Sequence, residues 1–181
     1  MPVKETRLIV NLSDLAFNYK LIKSKLKPNT KLMGVVKAFA YGTESEIVAR
    51  ELVSLGVDYL AVAYIEEGVR LRKAGIQIPI LVFYPQLEEI KQLLDYKLIP
   101  SIYNLRYLKL LNTSLKTQAI LDFPIHLKIN TGLNRLGFDV NELEAAYHEI
   151  ERAKHIKIVG IFSHLAASGN QAEIEFTQQQ I

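Results

Sequence analysis

The sequence contains no cysteine. That excludes disulfides and thiol chemistry and leaves a reducing compartment permitted. Long apolar runs are also lacking, none approaching the roughly 20 residues that would span a bilayer. The start, Met1-Pro2-Val3-Lys4-Glu5-Thr6-Arg7, is charged and has no signal-peptide core. The expectation is therefore a cytoplasmic protein with no membrane partner. Charge of one sign is scarce as well: 22 Lys and Arg against 19 Asp and Glu leave a net charge of +3. No stretch concentrates that excess, so no nucleic-acid partner is expected. What remains is an ordinary globular composition, 49% hydrophobic over 181 residues, enough for one sizeable domain.

Short apolar runs alternate with longer amphipathic stretches. Leu8 to Leu12 reads as a strand, and Ser13 as the cap of a helix bearing Leu15, Tyr19, Ile22 and Leu26 at helical spacing. Leu32 to Ala38 is nearly continuous and apolar, the pattern of a strand buried on both faces. Further strands are predicted at 59–63, 78–83, 98–102, 125–129 and 156–162. Helices are predicted at 44–55, 66–74, 86–95, 104–115, 142–153 and 172–181. From Leu32 onward this gives about six strand–helix units, which implies a parallel sheet with helical crossovers. A doubly wound sheet and a (β/α)8 barrel both suit the spacing. No G-x-G-x-x-G follows the first strand, which disfavours the nucleotide-binding version. A barrel needs about eight units, so periodicity leaves the choice open.

Reactive residues fall at the ends of several strands. Lys37 closes the run Leu32-Met33-Gly34-Val35-Val36, where a charge is costly unless paired or chemically used. Two readings stand, an amine that reaches solvent and an amine that forms a Schiff base. Tyr41 and Gly42 follow, a residue able to bind an anion and a turn residue. Lys128 ends another strand, and Arg135 lies in the loop Asn130-Thr131-Gly132-Leu133-Asn134-Arg135-Leu136-Gly137. Two cations facing one site call for an anion or a modification between them, unless both are solvated loop charges. His164 ends Val159-Gly160-Ile161-Phe162-Ser163, as a ligand contact or a structural histidine. Glu66 and Glu67 open a helix and read as structural complements of its dipole.

Together, Val36-Lys37-Ala38-Phe39-Ala40-Tyr41-Gly42, the Lys128 to Gly137 loop, the strand ending at His164, and Glu66-Glu67-Gly68 with Leu71-Arg72-Lys73-Ala74-Gly75-Ile76 resemble the alanine racemase family. The resemblance covers essentially the whole chain and implies an α/β fold, a TIM-type (β/α)8 barrel present here to about six of eight units. It implies a pyridoxal 5'-phosphate cofactor and no metal, alanine as substrate, D-alanine for peptidoglycan as product, and a homodimer. Lys37 would hold the cofactor as an aldimine and act as one acid–base group. Tyr41 would contact the phosphate, Arg135 the phenolic oxygen, and His164 the cofactor ring. Lys128 would be carbamylated and orient Arg135. Residues 1–12 would form a strand packed on a carboxyl-terminal β domain, and residues 13–181 the partial barrel. That β domain, with its catalytic tyrosine, and the last barrel strands are expected beyond Ile181, so the chain alone should be inactive. Asn130 stands where the family usually has Asp, and Asn134 where Gly is common. Two other readings are a non-catalytic cofactor-binding barrel and a racemase or decarboxylase for another amino acid.

Overall fold

A computed structural model describes residues 6–181. The chain divides into two compact units, one formed by residues up to Tyr84 with Gln92–Leu98, the other by Pro85–Lys91 with Ile99–Ile181.

In the first unit, helix α1 (Leu12–Ser24) precedes strand β1 (Met33–Val35). A turn over Lys37–Gly42 leads to α2 (Ser45–Ser54), β2 (Tyr59–Val62), α3 (Ile65–Lys73) and β3 (Ile80–Val82). The strands pair in parallel, Gly34 opposite Leu60 and Ala61 opposite Leu81. Leu60, Ala61, Val62, Ile80 and Val82 are completely buried, which is why β2 and β3 read as unbroken apolar runs rather than alternating ones. Helix α2 lays Val48, Ala49 and Leu52 on the core at helical spacing. Helix α3 comes close because Gly68 has no side chain: a Cβ there would lie 2.9 Å from Leu98. Arg72, at its end, donates to the carbonyls of Ile76, Ile78, Tyr96 and Lys97. These bonds tie the helix to the loop entering β3, and burial lowers the guanidinium's pKa.

The second unit holds β4 (Ile99–Ile102), α5 (Leu105–Thr117), β5 (Phe123–Lys128), α6 (Leu143–Arg152), β6 (Ile156–Phe162) and α7 (Ile174–Gln179). A short helix α4 (Ile90–Asp95) follows a 3-10 turn at Leu87–Glu89, its residues shared between the two units. Asn104 caps α5 by accepting from the Tyr107 amide at 2.8 Å. Tyr107, Leu108, Leu111 and Leu115 form its buried stripe. Strand β5 lies between β4 and β6, parallel to both, with Ser101 opposite His126 and Lys128 opposite Phe162. A bulge after Ile125 sets His126 opposite Gly160. A Cβ on Gly160 would lie 2.4 Å from the His126 ring, so the glycine makes room for the imidazole.

The six strand–helix units are all present, but the amino-terminal segment differs from the sequence reading. Residues 6–10 take neither helix nor strand, and Leu12 opens α1, where a strand was expected over 8–12. An apolar run becomes a strand only when another strand accepts its backbone bonds, and none does so here among the described residues. Residues 1–5 of the expected 1–12 segment lie outside the described residues. The cap of α1 is Asn11, whose side chain accepts from the Ser13 amide at 3.0 Å. Ser13 itself lies inside the helix.

Candidate functional site

In the first unit the site begins where β1 stops. Val36 still donates to the Ala61 carbonyl at 2.9 Å, but Lys37 belongs to the turn after the strand rather than to the strand. Ala38, Phe39, Ala40 and Tyr41 then adopt φ of 51°, 54°, 52° and 58°, a full left-handed turn made without glycine. Each such residue costs about 1–2 kcal/mol, so the surroundings must hold the turn together. Ala40 donates to the Val36 carbonyl at 3.0 Å, and Glu44 to that of Phe39 at 2.9 Å. The Thr43 hydroxyl donates to the Ala40 carbonyl at 2.6 Å. The Arg70 guanidinium lies 4.9 Å from the Phe39 ring centroid. Glu67 supplies the main clasp, one carboxylate oxygen accepting from Ala38 at 2.7 Å and the other from Ala63 and Tyr64 at 2.7 and 3.1 Å. It thereby joins the turn to the end of β2. The result holds Lys37 half-buried while Tyr41 stays 67% exposed.

Sequence reasoning missed both the turn's handedness and the role of Glu67. Ala, Phe and Tyr carry no signal for positive φ. Glu67 sits in a first helical turn where a dipole complement is the ordinary explanation.

In the second unit, β5 ends at Lys128, buried at 6% exposure, with its Nζ 5.6 Å from the Phe162 ring centroid. Phe162 also meets His126 edge-on, so one aromatic ring touches both polar side chains on this face of β5. Burial lowers the His126 pKa below the ordinary imidazole value. Beyond β6, the Ser163 hydroxyl donates to the Ile129 carbonyl at 2.9 Å and bonds Thr131 at 2.6 Å. These bonds hold the segment leading to His164 against the loop after β5. That loop is pinched where Asn130 donates to the Phe138 carbonyl and Phe138 to the Lys128 carbonyl, both at 2.9 Å. Gly137, at φ +130°, is required there: a Cβ would lie 2.6 Å from the Asn130 nitrogen. Arg135 sits exposed on the loop.

Of the residues singled out from sequence, Lys37 and Tyr41 share one turn in the first unit. Lys128, Arg135 and His164 belong to the second, with Lys128 and Arg135 at the start and on the outside of one connection.

Parallel strands alternating with helices, with polar side chains on the strand-to-helix connections of each unit, define a class, the β/α folds. Comparison with known proteins gives the family. The alanine racemase N-terminal domain family matches residues 10–181, and the chain belongs to it. An alanine racemase of Treponema denticola is 38% identical over 99% of this chain and 48% of its own length. An amino-acid racemase of Enterococcus faecalis is 39% identical over 96% of this chain but only 24% of its own length. Among solved structures, an alanine racemase of Clostridium difficile 630 aligns with a TM-score of 0.88 at 35% identity, over 94% of this chain and 45% of that one. The fold is thus that of the alanine racemase α/β barrel domain. The chain spans about half the length of the alanine racemases it matches.

Proposed function

We propose that the protein is a pyridoxal-phosphate-dependent racemase that interconverts L- and D-alanine, and that this chain carries the lysine side of its site. The observation that carries the reading is the left-handed turn at Lys37–Gly42, a costly backbone conformation of the kind that collects at functional sites. The donor set fits the cofactor chemically. A half-buried amine can bond its carbonyl carbon, an exposed phenol can donate to a phosphate, and a guanidinium can donate to a phenolate.

In this reading Lys37 Nζ carries the cofactor and moves a proton to and from the substrate α-carbon on one face. Tyr41 donates its hydroxyl to the phosphate. Arg135 donates to the phenolic oxygen, His164 lies against the ring, and a carbamate on Lys128 orients Arg135. Bound pyridoxal phosphate supplies the electron sink that makes α-proton removal feasible. The acid–base group for the opposite face comes from a partner subunit's β domain in a cytoplasmic homodimer, and the D-alanine serves peptidoglycan synthesis. The expected segment at residues 1–12 packs on that domain.

The test is α-deuterium exchange of L- and D-alanine in heavy water by the full-length protein with added cofactor. Exchange with inversion that disappears in Lys37→Ala supports the reading, and absence of exchange in the wild type refutes it. The amino-acid racemase relative favours a second reading, in which another amino acid is the better substrate. A panel of amino acids in the same assay separates the two.

A further inference from the structure

The Asn130 side chain uses all of its hydrogen-bonding capacity. Its Oδ1 accepts from the amides of Gly132 at 3.2 Å and Asn134 at 3.0 Å. Its Nδ2 donates to Asn134 Oδ1 at 2.9 Å and to Asp139 Oδ1 at 2.7 Å. A carboxamide has two donors and two lone pairs, and all four are engaged. The orientation follows from chemistry: reversed, the amide would turn its oxygen on a carboxylate and its N–H groups on two backbone N–H groups.

These bonds act on the residue next to Arg135. Asn134 stands at φ +55°, and both its amide and its side chain rest on Asn130. Asp139, at the far end of the loop, opens the next helical segment. Its amide donates to Glu142 Oε2 at 3.0 Å, and its backbone carbonyl accepts from the Glu142 amide at 2.9 Å. One contact between Asn130 and Asp139 therefore joins the start of the loop, the backbone before Arg135, and the entry to α6.

We propose that Asn130 and Asp139 are a matched positioning pair that sets the Arg135 loop, and that the pair fails when both are carboxylates. The inference rests on the racemase reading for the role of Arg135 alone. Aspartate at 130 would keep the bonds from Gly132 and Asn134 but lose both donors, and would place a second carboxylate against Asp139. Two such carboxylates repel each other, and a proton shared between them relieves the repulsion. The defect is therefore small at acid pH, where a shared proton restores the bond, and grows as pH rises and both ionise. The charged and titratable groups of the surrounding elements are Lys128 and Arg135 on the same connection, Glu142 and Glu144 on the α6 side, His164 beyond β6, and Glu173 and Glu175 at α7. Of these, Glu142 bonds Asp139 directly.

The experiment compares the full-length wild type with Asn130→Asp, Asp139→Asn and the exchanged double variant. Three quantities are followed from acid to alkaline pH: thermal midpoint, pyridoxal phosphate affinity, and alanine racemisation. Asn130→Asp should melt about 2–4 °C below wild type at about pH 8 and converge on it near pH 4.5. Its cofactor affinity and kcat should fall on the order of tenfold at the alkaline end, with KM for alanine unchanged, since Arg135 faces the cofactor. Asp139→Asn keeps a neutral bond and should show no such pH dependence. The exchanged variant should recover most of the loss, which a merely destabilising substitution would not do. If Asn130→Asp matches the wild type at every pH, or the exchange rescues nothing, the inference is wrong. A wild type without racemase activity overturns the functional reading, while pH-dependent melting and its rescue would still establish the pair.

Discussion

Three backbone amides, from Ala38, Ala63 and Tyr64, converge on the Glu67 carboxylate. Glu67→Ala leaves three donors to find other partners, and a charged acceptor is worth about 1.5–3 kcal/mol per bond where water cannot replace it. Because part of the cluster is exposed, a total loss of about 2–3 kcal/mol is expected, with Glu67→Gln intermediate. Urea unfolding of the full-length protein checks this. A change below about 0.5 kcal/mol would deny Glu67 its role as a clasp. A second residue-scale effect concerns alkali. Burial raises the Tyr107 phenol's pKa well above the ordinary tyrosine range, helped by Tyr103 and Glu89. The folded protein holds this group neutral while the unfolded chain ionises it above a pKa of about 10, so stability is lost as pH rises through that value. Tyr107→Phe should flatten this decline between about pH 9 and 11. An unchanged slope would assign the alkaline loss to other groups.

Among the elements, the left-handed turn is the one whose sequence gives least warning. Elsewhere strands and helices were legible because each rests on a pattern that chemistry imposes. Buried parallel strands must be apolar, and covering helices must carry a stripe, as Tyr107, Leu108, Leu111 and Leu115 do. Most predicted bounds lie within about two residues of the observed ones, the ordinary disagreement at element ends. Ala38-Phe39-Ala40-Tyr41 has ordinary right-handed preferences, and its handedness comes from Glu67, Val36 and Thr43 acting on the backbone. Such tertiary causes leave no local trace, and the same holds for the region around Leu8–Val10, where a strand needs a partner that no sequence window contains. The site residues were legible only through family resemblance, since Lys37 or His164 alone is equally a structural side chain. The turn makes its own prediction. Exposed Ala38→Gly removes the left-handed cost at one position and should raise stability by about 0.5–1 kcal/mol. Pyridoxal phosphate affinity should fall at the same time, because the turn that presents Lys37 and Tyr41 loosens. A gain in both, or a loss of stability, would mean that the handedness is not under strain.

For the molecule as a whole, the outer strands matter. Among the described residues β1 pairs only with β2 on one side, and Ile158, Val159 and Ile161 of β6 are 38%, 41% and 66% exposed. Helix α1 buries no residue, leaving Phe17 and Ile22 at 66% and 53% exposure. Faces of this kind promote association. The 181-residue chain taken alone should therefore run above its 20.6 kDa monomer mass in sedimentation, and a monodisperse monomer would show that these faces are tolerated. The central claim is narrower, that Lys37 carries the cofactor. Borohydride reduction of the full-length protein loaded with pyridoxal phosphate, followed by peptide mapping, tests it directly. The account predicts a pyridoxyl group on the peptide containing Lys37 and on no other. A pyridoxyl group on a different lysine, with Lys37 unmodified, would contradict it.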